Sequence, residues 1–157
     1  MAKQSAFGTS LSMGTRQVES MTITGAATSS ANLTVTVTAT GIAGVVVTVA
    51  VVDLDSPTAV ATKIRTAMNA LSTITNYAVV GGSGALFSLT MLLPAADNAA
   101  MAMVFGAGAT GVTAGASIDT TAGVAFLAVA IVTGIGGPGL SLDTVDVMTH
   151  DQATAWA

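Results

Sequence analysis

The densest group of side chains able to do chemistry is Asp143, Asp146, His150 and Asp151. Carboxylates beside an imidazole are the raw material of a divalent-cation site or of acid–base catalysis. The local pattern argues against both. Leu142 to Thr149 reads as a strand, where Asp143 and Asp146 have opposite parity and face opposite sides of a sheet. His150 is the only histidine in the chain, so no two-histidine site forms within one copy. These residues read as a polar strand edge, and neither a metal nor a cofactor is expected.

A second motif, Gly106-Ala-Gly-Ala-Thr-Gly111, matches the G-x-G-x-x-G of dinucleotide-binding turns. That chemistry needs a helix opening at the glycines to hold a pyrophosphate, and an acid about 20 residues on for the ribose. Val112 to Ser117 is a poor helix start, and no acid lies near residue 130. The glycines read as a loop. Asp53 and Asp55 precede a helix, where the macrodipole alone favours acids. Asn32-Leu33-Thr34 matches a glycosylation sequon, which carries no meaning without a secretion signal. Serines and aspartates are scattered and the lone histidine lies far along the chain, so no nucleophilic triad is expected. The chain is read as a non-enzyme.

Composition narrows the classes further. There is no cysteine, which excludes disulfides and thiolate-bound metals. Lys3, Arg16, Lys63 and Arg65 are the only cations, too few to track a phosphate backbone. Charged residues make up 8% of the chain and hydrophobic ones 52%, a balance that excludes disorder. A free monomer relies on about 25–35% charge at its surface. A surface this poor in charge predicts that copies of the chain cover one another. No window reads as a membrane span: Gly123 to Leu142 is uncharged but broken by Gly134, Gly136, Gly137, Pro138 and Gly139. The opening MAKQSAFGTSLSMG has no long apolar stretch, which predicts synthesis in the cytoplasm without export or membrane insertion. The eight methionines are expected to fill the core.

The elements follow from periodicity. Residues 20–24 alternate, and in 33–39 Leu33, Val35, Val37 and Ala39 oppose Thr34, Thr36 and Thr38, the signature of half-buried strands. Val45 to Val52 is apolar at nearly every position and predicts a strand buried on both faces. Ser56 and Pro57 open a helix over 56–71, with Val60, Ile64, Ala67, Met68 and Leu71 facing a sheet and Thr62, Lys63, Thr66 and Asn69 facing water. Strands follow at 76–81 and 85–93, joined by the turn Gly81-Gly82-Ser83-Gly84. Phe87, Leu89, Met91 and Leu93 are expected on one face, with Pro94 ending the run. A short strand at Met101 to Phe105, the glycine loop and a further loop over Ser117 to Gly123 come next. Strands at 126–133 and 142–149 close the chain. The fold class is therefore α+β, mainly β.

One stretch is more specific. From Ile131 to Asp151 the chain reads IVTGIGGPGLSLDTVDVMTHD, with Trp156 close behind. This resembles the signature of major tail tube proteins of long-tailed, siphovirus-like bacteriophages: a strand ending in a Gly-Gly-Pro turn, a D-T-x-D-V-T-x-H-D strand and a Trp. Met148 stands where that pattern has a threonine, and Gln152 where it has a serine. Phe7 to Gly14 resembles the opening segment of those proteins. Residues about 18–118 resemble an insertion found in some phage tail proteins. The resemblance thus touches nearly the whole chain, with 131–156 its specific part.

It implies a tube domain in two pieces, 1–17 and 123–157, around an inserted β-β-β-α-β-β-β domain at 18–122. The tube pieces supply tube-forming β-sheet segments. The family runs on past its Trp, which implies further strands beyond Ala157. The implied function is a structural subunit that polymerises into stacked hexameric rings forming the genome-delivery channel of a virion tail. Its partners are then itself, other tail proteins, and genomic DNA passing through the lumen without specific binding. Strand pattern and resemblance together assign self-assembly to Phe126, Leu127, Val129, Ile131, Gly137, Pro138, Asp143, Asp146, His150 and Trp156. The alternative is a decoration or surface-binding β module on a virion or filament.

Overall fold

The computed structural model describes residues 14–126. Its elements run β1 (Val18–Thr22), β2 (Ala31–Ala39), β3 (Ile42–Val51), α1 (Pro57–Asn69), α2 (Ser72–Thr75), β4 (Ala78–Gly81), β5 (Leu86–Met91), β6 (Ala102–Gly106) and β7 (Ile118–Thr121). They build two antiparallel sheets, ordered β4-β5-β1-β7 and β3-β2-β6. The fold is α+β and mainly β. Residues Gly14–Ala125 form one compact unit.

Alternation sets the core. β2 buries Leu33, Val35, Val37 and Ala39 and turns Thr34, Thr36 and Thr38 outward. β3 pairs with it antiparallel, Val35 opposite Val47 and Leu33 opposite Val49. The other sheet contributes Met21, Phe87 and Leu89 to the same apolar cluster. Burying a side chain of this size is worth about 1.5–3 kcal/mol. The tight turn into β3 uses Gly41 at φ +81°, where a Cβ would overlap the ring of Tyr77. The β4–β5 turn uses Gly82 and Gly84, both at positive φ, as a two-glycine hairpin requires.

α1 begins where the sequence says it must. Ser56 Oγ accepts from Ala59 N at 3.2 Å and Pro57 takes the first turn. Val60, Ala61, Ile64 and Met68 are buried. The helix packs against β3 of one sheet and against β4 and β5 of the other, so it plugs the gap between two sheets instead of lying on a single one. Arg65 ties it to the β4–β5 turn, donating from Nη1 to the carbonyls of Gly84 (3.2 Å) and Leu86 (2.5 Å).

Four expectations are corrected. β3 is buried on one face only: Val47, Val49 and Val51 point inward, while Val46, Thr48 and Ala50 are exposed. Valine and threonine suit a pleated surface whether or not it is covered, so the apolar run misreported burial. Ser117 to Gly123 is no plain loop, because Ile118–Thr121 form β7 on the edge of β1. The segment lacks alternation, all four residues are exposed, and the strand exists because the backbone of β1 pairs it. The strand expected at 85–93 ends at Met91, and Leu93 is exposed. The strand expected from 76 starts at Ala78, because the short helix α2 occupies Ser72–Thr75 and buries Ile74.

Candidate functional site

The two ends of the unit meet. Thr15 N donates to Val124 O at 2.8 Å, and Val124 N returns to Thr15 O at 2.9 Å. Gly123 N donates to Asp97 Oδ1 at 3.0 Å, so the departing strand is also held by the β5–β6 connection. The first and last residues of Gly14–Ala125 therefore lie side by side, as a domain inserted into another segment requires.

Beside that junction lies a groove of about 450 Å³, lined by Gln17, Thr40, Tyr77, Met91, Leu92 and Pro94 among others. No lining residue is charged. Its wall is fixed by Gln17, a buried side chain that grips the backbone of Asn98 from both ends. Gln17 Oε1 accepts from Asn98 N at 2.9 Å, and Nε2 donates to Asn98 O at 3.1 Å. Asn98 Nδ2 then donates to Thr40 Oγ1 at 3.1 Å. The groove suits an uncharged, apolar ligand, and it contains no nucleophile–base pair.

A second polar group sits deeper. Glu19 is 3% exposed and lies opposite Asp119 in the β1–β7 pairing. Its Oε1 accepts from Ser117 Oγ at 2.5 Å, and that hydroxyl accepts from Met103 N of β6 at 2.9 Å. Oε2 has no hydrogen-bond partner. A buried acid with one idle oxygen costs stability. Its role here is to join β1 to β6 through Ser117. The sequence carries a signal for both residues, since Gln17 and Glu19 share parity with the buried Met21 and Ile23. The alternation read at 20–24 began just beyond them.

The earlier candidates fall as follows. At Gly106 to Gly111 no helix opens. Gly108 and Gly111 are at positive φ, and a Cβ on them would overlap Asn32 O and the Thr28 side chain. Thr110 O accepts from Thr28 N and Ser29 N, so the glycines let this loop wrap the chain leading into β2. Asp55 closes the turn before α1: its Oδ2 accepts from Val52 N at 2.8 Å and from Lys63 Nζ at 2.5 Å. The Lys63 hydrogen bond, helped by the Val52 amide, holds the Asp55 carboxyl below the usual carboxylate range. With Lys63 and Arg65 committed, Arg16 is the remaining cation among the described residues. Phe126 is the last described residue and is exposed. Leu127, Val129, Ile131, Gly137, Pro138, Asp143, Asp146, His150 and Trp156 lie outside the described residues.

Among the described residues no group of three or more His, Asp or Glu is placed to hold a metal, and no helix is long and apolar enough to cross a membrane. No protein-family model, curated protein or solved structure matches the chain.

Proposed function

We propose that the chain is a structural subunit of a phage tail tube, with Gly14–Ala125 as a domain inserted between two tube-forming segments. The observation that carries this reading is the Thr15–Val124 pairing. It lets the inserted unit start and stop at one point, leaving the segments on either side free to belong to a single domain. The paucity of charge supports burial between copies. The acidic balance, net −4, suits a channel that DNA must traverse without sticking, because like charges repel within a Debye length of about 8 Å at physiological salt. Stacked rings follow from heterologous or cyclic contacts between identical subunits. Light scattering tests the reading: the solution mass rises well above the 15.3 kDa of one chain as concentration increases. A mass fixed at one chain at every concentration contradicts it.

The uncharged groove supports the second reading, a decoration or surface-binding module, because it offers a ready seat for an apolar ligand or peptide. Deleting residues 126–157 separates the two. A tube subunit no longer forms rings or filaments, whereas a module keeps its ligand.

A further inference from the structure

An unpaired sheet edge is a template for another strand unless it is short, charged or covered. In the described unit, β4 and β7 have only four residues each, and β7 carries Asp119. The free side of β6 is met by Ser117, whose Oγ accepts from Met103 N. β3 is the least protected: α1 and α2 pack against it, but no described residue pairs with its outer edge. It is ten residues long and carries no charge. A register shift near Gly44, which has φ +63°, disturbs its start. From Val45 to Val51 its ladder to β2 is unbroken. No described residue hydrogen-bonds to the opposite edge of that stretch. Val46, Thr48 and Ala50 stand exposed on its outer face, with Val46 57% exposed.

We propose that β3 pairs edge to edge with β3 of a second copy of this chain, antiparallel and centred on Thr48. That centring uses the whole regular stretch: Val45 lies opposite Val51 of the second copy, and Val46 opposite its Ala50. Alternate residues of each β3 turn their N–H and C=O groups outward, and pairing satisfies both strands at once. Charge selects both the partner and the direction. The two strands set no like charges against each other, which matters in a chain of net −4. Antiparallel pairing keeps the two copies of Asp53 at opposite ends, whereas parallel pairing would set them side by side. The contact is self-complementary about a two-fold axis and so closes on itself. It lies inside Gly14–Ala125, so it is distinct from the tube contacts and does not depend on them.

The absence of cysteine makes the test clean. Single-cysteine variants of the full chain are concentrated and treated with a short bismaleimide. Thr48→Cys cross-links to itself about tenfold faster than Val79→Cys, an exposed control on β4, because pairing raises the local thiol concentration. Val46→Cys and Ala50→Cys cross-link when mixed and not when each is alone. Adding Val46→Lys and Ala50→Lys to Thr48→Cys sets like charges opposite each other and abolishes the product while the far-ultraviolet dichroism stays unchanged. Thr48→Cys reacting no faster than the control overturns the inference. So does Val46→Cys reacting with itself as fast as with Ala50→Cys. Tubes that form without the Thr48 cross-link refute the edge pairing alone, and the cross-link without tubes refutes the tube reading alone.

Discussion

On the side where β3 and β4 end their sheets, the gap is filled by α1, whose Val60, Ile64 and Met68 are fully buried. On the side of β6 and β7 the sheets are joined by polar side chains: Gln17 on Asn98, and Glu19 on Ser117 and through it Met103 N. The first closure is apolar and non-directional, so it gains stability from area. The second depends on a few hydrogen bonds whose net worth is about 1 kcal/mol each, and on leaving no partner stranded. The apolar side is the stronger and more tolerant of small shifts, while the polar side fixes geometry, including the wall of the groove and the meeting of the two ends of the Gly14–Ala125 unit.

The largest effect is expected from Ile64→Asp, which puts an unpaired charge into the apolar closure. It destabilises the unit by about 4 kcal/mol in chemical denaturation. Gln17→Ala removes both bonds to Asn98 and strands that residue's backbone groups. Its cost is about 2 kcal/mol, with faster amide exchange at Asn98 as the local signature. Equal costs for the two variants would erase the distinction between the sides.

The contrast also separates what was legible in the sequence from what was not. The Val60–Ile64–Met68 stripe, the Ser56 cap and the alternation of β2 were plain, because burial repeats with the period of the element. The apolar run of β3 announced a strand but not its exposed face, since whether anything covers a face is decided by distant chain. β7 left no periodic trace, and the Gln17–Glu19 joint left only a parity shared with Met21 and Ile23. Ile118-Asp-Thr-Thr becomes a strand only because β1 offers it a ladder, and Glu19 falls just before the stretch 20–24 whose alternation was read. The Gly106–Gly111 motif was legible as a loop, but not that it wraps the chain before β2. The residues expected to carry self-assembly, from Leu127 to Trp156, lie outside the described residues.

Three smaller effects sharpen the apolar side. Ser56→Ala removes the α1 cap and costs about 1 kcal/mol, read as a lowered denaturation midpoint without a change in slope. Asp55 is held ionised by Lys63, so its folded pKa lies below its unfolded one. Its contribution is therefore complete above the ordinary carboxylate pKa, about 4, and fades as the pH falls through the lower folded value. The melting-temperature gap between the native chain and Asp55→Asn narrows across that acid window and is flat from there to neutrality. Lys63→Ala barely shifts the melting temperature at pH 7, as expected of a partly exposed ion pair.

The central claim is that copies of this chain build a tube. Negative-stain electron microscopy of the concentrated full chain tests it most directly. The account predicts hollow rings or filaments with a central channel. Fields of separate, solid particles at every concentration would contradict it.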